Sequence, residues 1–156
     1  MFERRQEMFV HLVWSTWDRA PILDAATRDW LWPMLANTAR ERGCPWAVVG
    51  GIEDHVHVLC ALPTTLAVAQ LVRDLKGVSA RAANQRRPES FRWQGGYGAF
   101  SVSPDAVADV RAYVVQQAEH HRTGTTDDLC ESAVQETSAQ ADGAIIASQF
   151  SGRAPQ

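Results

Sequence analysis

Four residues combine types and spacings that could do chemistry together: His55 and His57, two apart, and Tyr113 and Gln117, four apart. Imidazole nitrogens are good ligands for divalent metals. Histidines at i and i+2 of an extended segment point to one face, so both can serve one ion. A tyrosine can act as a covalent nucleophile, and a glutamine oxygen can complete the shell of a hard ion such as magnesium. On a helix, a spacing of four puts Tyr113 and Gln117 on one side. Each pair taken alone also fits a plainer role. The histidines could be polar residues on the solvent face of an amphipathic strand, Tyr113 a half-buried aromatic and Gln117 a solvated amide.

The elements that must position these residues follow from periodicity and punctuation. Val56, Val58 and Leu59 predict a strand over 55–62, with the valines facing a core and both histidines on an exposed face. An apolar, β-branched and aromatic run over 8–16 predicts a first strand, followed by a turn at Trp17-Asp18-Arg19-Ala20-Pro21. Asp24 is a good N-cap for a helix reaching about Arg42, with Trp30, Leu31, Met34 and Leu35 as its apolar stripe. Pro33 inside it predicts a kink or a later start, and Gly43 predicts its end. Residues 45–52 form a second strand, and Glu53-Asp54 connects it to the histidine strand. Pro63-Thr64-Thr65 ends that strand and caps a helix over 66–83, whose stripe contains Leu71, Val72 and Leu75 and leaves Arg73, Lys76 and Arg81 off it. The glycine-rich, aromatic stretch 91–100 reads either as a loop over the end of a sheet or as a platform on which unpaired bases stack, with Trp93 and Tyr97 as its faces. Phe100 suits the core. Residues 99–102 form the last strand. Ser103 and Pro104 open a helix to about His121, with Val107, Val110, Val114 and Ala118 buried. The order β-α-β-β-α-β-α predicts an α+β, ferredoxin-like split βαβ fold. Its sheet is mainly antiparallel, with helices packed on one face and the histidine strand central.

The 156 residues suit one domain over 1–122. Residues 123–156 are rich in Ala, Ser, Gln, Thr, Gly and Asp and read as an acidic, disordered tail with a weak helix near 129–135. Charge divides the same way. Residues 1–122 carry 14 Lys and Arg against 13 Asp and Glu, and residues 123–156 carry 1 against 5. Within 70–92, Arg73, Lys76, Arg81, Arg86, Arg87 and Arg92 outnumber Asp74 and Glu89, a local excess that could face phosphates. No apolar run approaches membrane-spanning length, and no secretory leader precedes the first strand. Three widely spaced cysteines, Cys44, Cys60 and Cys130, fit neither a zinc site nor a disulfide framework and point to a reducing, cytoplasmic setting.

Four blocks of the chain, in order, resemble one family. They are Glu53-Asp54-His55-Val56-His57-Val58-Leu59, Leu71-Val72-Arg73-Asp74-Leu75-Lys76-Gly77, Trp93-Gln94-Gly95-Gly96-Tyr97-Gly98-Ala99-Phe100-Ser101-Val102-Ser103 and Tyr113-Val114-Val115-Gln116-Gln117-Ala118-Glu119-His120-His121. Phe9-Val10-His11-Leu12-Val13-Trp14-Ser15-Thr16 fits as well. The family is the single-tyrosine HUH transposases of the insertion-sequence-200-like type, including the REP-associated tyrosine transposases, and the resemblance covers about residues 8–122. It implies that His55, His57 and Gln117 bind magnesium or manganese and that Tyr113 is the nucleophile. It also implies cleavage and rejoining of single-stranded DNA beside hairpins through a 5′-phosphotyrosine, and a homodimer in which active sites can be shared. Arg73, Lys76, Arg81, Trp93 and Tyr97 become the DNA-contacting candidates, and His120 or His121 a proton acceptor. The chain departs from the family at Trp17-Asp18-Arg19, where a lysine is expected, and in its long tail. Two other readings remain open at this point: a non-catalytic, domesticated single-stranded DNA-binding protein, and a metal-binding or regulatory ferredoxin-like domain.

Overall fold

The structure is a computed structural model that describes residues 5–87 and 89–128. The predicted helix near 129–135, Cys130 and most of the acidic tail lie outside the described residues.

Strand β1 (Phe9–Ser15) leads through a single 3₁₀ turn, Trp17–Arg19, into helix α1 (Ala25–Glu41). Strands β2 (Ala47–Gly51) and β3 (His55–Ala61) form a hairpin. Helix α2 (Val68–Arg86) crosses back to strand β4 (Gly98–Val102). A 3₁₀ turn at Pro104–Ala106 then opens α3 (Val107–Val115), followed by α4 (Gln117–Thr123). The four strands lie in the order β2-β3-β1-β4, and every pair is antiparallel. That is the ferredoxin-like order, with the histidine strand between β2 and β1.

Local chemistry sets the boundaries. The Asp24 side chain accepts from the Thr27 N–H at 2.8 Å and caps α1, satisfying one of the donors that a helix start leaves unpaired. Gly43, just past the end of α1, takes φ 99°, the left-handed region that glycine enters without a Cβ penalty. Pro33 was expected to kink or delay α1. It sits at an exposed position, and the helix runs through it unbroken.

Alternation along the strands gives the sheet two different faces. Val10, Leu12, Trp14, Val56, Val58 and Cys60 point to one. They join Leu31 and Leu35 of α1 and Leu71, Val72 and Leu75 of α2 in one apolar core. His11, Val13, Ser15, His55 and His57 point to the other, and they are buried too. Here the structure corrects two expectations: the helices do not share one face, and the histidines are not exposed, because α3 and α4 cover their side. Gly50 makes that cover possible. It sits opposite His57 in the sheet, and a Cβ built on it would lie 1.8 Å from the Val114 carbonyl oxygen. Only glycine lets the α3 backbone come this close to β2.

Candidate active site

His55 opens β3 and His57 follows two residues later, both fully buried with ring centroids 5.0 Å apart. Each ring has its Nδ1 engaged. His55 Nδ1 lies 2.7 Å from Asp54 Oδ1, and the other carboxylate oxygen accepts from Arg19 Nε at 3.0 Å. Burial pushes the Asp54 carboxyl up, but the His55 hydrogen bond and charge and the Arg19 guanidinium outweigh it and hold the group below its ordinary range. An ionised carboxylate only accepts, so His55 donates from Nδ1, and in a neutral ring that tautomer leaves the lone pair on Nε2. His57 Nδ1 lies 2.8 Å from His11 Nε2. Burial, then the neighbouring His55, His11 and His121, push the His57 pKa well below its ordinary value, so the ring is neutral. Burial likewise pushes His11 down to about 4, against a smaller upward pull from Asp127.

Gln117 stands on α4, whose His121 packs on His55, so it lies on the histidine side of the sheet. His55 Nε2, His57 Nε2 and Gln117 Oε1 are buried and have no hydrogen-bond partner among the described residues. An unsatisfied buried polar atom costs about 1–3 kcal/mol, so three on one side of a sheet are an arrangement that a bound cation would satisfy. The third donor is an amide oxygen, and accordingly no three His, Cys, Asp or Glu side chains form a metal-holding group among the described residues. Two imidazoles and an amide oxygen are a neutral set that fits a divalent ion whose remaining positions go to anionic oxygens.

Tyr113 stands beside this set, its ring 5.7 Å from His57 and 4.9 Å from His120. Its hydroxyl oxygen accepts from the Asp127 backbone N–H at 3.0 Å. Tyr113 and Gln117 were expected on one continuous helix. Instead the helix breaks at Gln116, with φ −99° and ψ 25°, so that Tyr113 lies in the last turn of α3 and Gln117 begins α4. The two remain joined, because Gln117 Nε2 donates to the Tyr113 carbonyl at 3.1 Å, and the amide oxygen has no partner among the described residues. The two proton-acceptor candidates separate: His120 packs on Tyr113, and His121 packs on His55 with centroids 5.0 Å apart.

The DNA-contacting candidates are not brought to this site. Arg73 and Arg81 lie on the exposed side of α2, which packs on the sheet face opposite the histidines. Lys76 points at the glycine-rich loop, donating to the carbonyls of Gln94 at 2.8 Å and Gly96 at 2.6 Å; burial lowers its pKa to about 8. Trp93 is not a platform for bases. It is buried edge-on against Trp14 and Phe91, and its indole N–H donates to Ser79 Oγ at 2.8 Å, because an indole in the core needs an acceptor. Tyr97 is exposed, 5.8 Å from the Lys76 ammonium. Phe100, expected in the core, is half-buried on the histidine side near His11.

Sequence reading missed three contributors: Asp54 and Arg19, which orient His55, and Gly50, which admits α3; Arg92, named for its charge, stacks on Trp17 with the guanidinium 3.6 Å from the ring centroid. Asp18 and Arg19 both take positive φ, 53° and 49°, a turn in which Arg19 reaches Asp54. The departure at Trp17-Asp18-Arg19 therefore has a structural use.

Known proteins resemble this chain over most of the same fold. The family model described as "Transposase IS200 like" matches residues 4–117. The ISDra2 transposase TnpA of Deinococcus radiodurans is 27% identical over 114 residues, which cover 69% of this chain and 81% of that protein. A crystal structure of a transposase from Deinococcus radiodurans R1 superposes with a TM-score of 0.58 at 25% identity, covering 73% of this chain and 95% of that one. A REP-associated tyrosine transposase bound to a REP hairpin shares the fold, with a TM-score of 0.57 at 16% identity over 78% of this chain and 74% of that one.

Proposed function

Because the chain belongs to the IS200-like transposase family, we propose that it cleaves and rejoins single-stranded DNA beside hairpins, with Tyr113 as nucleophile and a divalent ion held by His55, His57 and Gln117. The observation that carries this reading is that His55 Nε2, His57 Nε2 and Gln117 Oε1, all on the side of the sheet that α3 and α4 cover, are buried and unpartnered among the described residues, with the Tyr113 ring against His57. When bound, magnesium or manganese neutralises charge on the non-bridging oxygens of the scissile phosphodiester. The chain's own residues do the rest. Asp54, braced by Arg19, holds His55 with its lone pair outward. The Asp127 N–H holds the Tyr113 hydroxyl oxygen and favours negative charge developing there. His120, packed on the phenol, accepts its proton. The Tyr113 oxygen attacks phosphorus in line, the P–O3′ bond breaks, and the leaving oxygen takes up the proton that His120 accepted to become a free 3′-OH, while the 5′ phosphate of the other fragment stays on Tyr113 as a phosphodiester. The reverse attack by a 3′-OH reseals a strand, so no nucleotide hydrolysis is required.

An unpaired segment is needed to present that phosphodiester to a buried site, and the relative bound to a REP hairpin supports a hairpin-bearing substrate. We also propose a homodimer, because among the described residues β2 and β4 are the edge strands of an open sheet and a second copy could extend it. The test is to incubate a labelled single strand carrying a hairpin with the protein in Mg2+, Mn2+ or EDTA and resolve the mixture under denaturing conditions. A metal-dependent protein–DNA adduct is expected. DNA bound without any adduct in either metal would favour the non-catalytic binding protein instead.

A further inference from the structure

On the histidine face, His11 is a buried titratable side chain to which the proposed mechanism gives no role. His11 lies on β1, which is not the strand of the HUH motif. In the register of the sheet it sits opposite Leu59, while His57 sits opposite Val13. The two histidines are thus diagonal neighbours on one face, close enough for long side chains to meet. They do meet: the rings are nearly parallel, 25° apart with centroids 5.1 Å from each other, and His11 Nε2 lies 2.8 Å from His57 Nδ1. Both rings are buried, so no bulk water competes for the contact.

A neutral imidazole carries one proton on its two nitrogens. His57 can offer Nε2 to a cation only if that proton sits on Nδ1. A buried Nδ1–H then needs an acceptor, and the atom facing it is His11 Nε2. Resting on the proposed metal site, we infer that His11 is a positioning residue for His57: its Nε2 accepts the Nδ1 proton and so fixes the tautomer and ring orientation that present His57 Nε2 beside His55 and Gln117. Asp54 does the same for His55 with a carboxylate. The neighbouring ligands are therefore set by different partners, a charged one from the adjoining residue and a neutral one from the neighbouring strand. Groups that hold the far nitrogen of a ligating histidine change metal affinity by about 10–100-fold when removed.

The experiment compares wild type, His11→Ala and His11→Gln, all without DNA. Manganese affinity is measured by calorimetry or by the loss of the free-ion paramagnetic resonance signal, and the His57 tautomer by 15N chemical shifts in metal-free protein. The alanine chain removes the acceptor. The glutamine chain restores one, since its amide oxygen can take the Nδ1 proton. Expected are a wild-type His57 with its proton on Nδ1, an affinity about 10–100-fold weaker in His11→Ala, and recovery of most of that loss in His11→Gln. A His57 proton found on Nε2 in the wild type would overturn the inference, and so would unchanged manganese affinity in His11→Ala. Should the alanine chain fail to fold, the wild-type tautomer and the glutamine chain still decide: near-normal affinity in His11→Gln supports the acceptor role, and a loss there contradicts it. Metal binding and tautomer are read without DNA, so failure of the DNA-cleaving reading would show separately, as absence of the adduct in a wild type that binds manganese normally.

Discussion

The two faces of one sheet differ in almost everything but burial. Toward α1 and α2, β1 and β3 present Leu12, Trp14, Val56, Val58 and Cys60 to an apolar core. Toward α3 and α4, the same strands present His11, His55 and His57, equally buried, and among the described residues the Nε2 atoms of His55 and His57 have no hydrogen-bond partner. The first face stabilises the fold by removing apolar area from water. The second forgoes part of that gain to keep three polar atoms dry and aligned, as preorganised sites do. A period of two along a strand lets both tasks share a backbone without sharing side chains.

The largest effect that would test this contrast comes from substituting one residue on each face. His57→Ala should lower adduct formation by about 10³-fold or more, since a metal-assisted step is worth several kcal/mol, and should cost less stability than a core truncation because it also removes an unpartnered atom. Leu12→Ala should do the reverse, losing about 2–5 kcal/mol while the folded protein keeps wild-type manganese affinity. Urea unfolding and metal titration on both chains check this. Equal stability losses with equal affinity losses would erase the distinction between the faces.

Next in size is a pH effect on metal-free protein. His11 has its pKa lowered from 6.5 to about 4, so between those values the unfolded chain binds a proton that the folded chain refuses. Stability is therefore complete above about pH 6.5 and falls as pH drops toward 4, by about 3 kcal/mol for this group at 1.36 kcal/mol per unit, with His57 adding in the same direction. Asp54, held below its ordinary range, adds a further loss only at lower pH. Urea unfolding at pH 7, 5.5 and 4.5 should show the decline, and His11→Gln should flatten it. A profile unchanged by that substitution would mean the histidine face carries no such strain.

Smaller is Gly50→Ala. Its new methyl group would meet the Val114 carbonyl, so α3 must shift and carry Tyr113 with it. A displacement of about 1 Å at reacting groups costs about 10²-fold, and adduct formation should fall by that much while the apolar core stays intact by near-UV circular dichroism. Smallest is the double substitution Arg73→Ala with Arg81→Ala. Both side chains lie on the far side of the sheet, so cleavage should change by less than about tenfold, with only a shallower salt dependence.

The sequence makes the elements legible where the signal is local. The strands follow from alternating apolar runs, α1 from Asp24 and Gly43, and the order β-α-β-β-α-β-α carries the sheet topology with it. What escapes is what distant segments decide. Alternation places His55 and His57 together but does not tell whether water or a helix lies above them; that depends on the approach of Val114 to Gly50. The break at Gln116 has no glycine or proline to announce it. Trp93 looks like its exposed neighbour Tyr97 in a glycine-rich stretch until Ser79, from another element, takes its indole N–H. Lys76 looks like a surface cation until the carbonyls of Gln94 and Gly96 turn toward it. His11 is invisible as a partner for His57 without the register between β1 and β3.

The account turns on which tyrosine bonds to DNA, and the chain has only Tyr97 and Tyr113. Tyr97 is exposed beside Lys76, whereas Tyr113 lies against His57. The decisive measurement is mass spectrometry of the protein–DNA complex trapped in Mg2+ or Mn2+, digested to locate the nucleotide. The expected result is a nucleotide on the Tyr113 peptide, absent when His55 and His57 are both replaced by alanine. A nucleotide on the Tyr97 peptide, or one on Tyr113 that persists without both histidines, would contradict it.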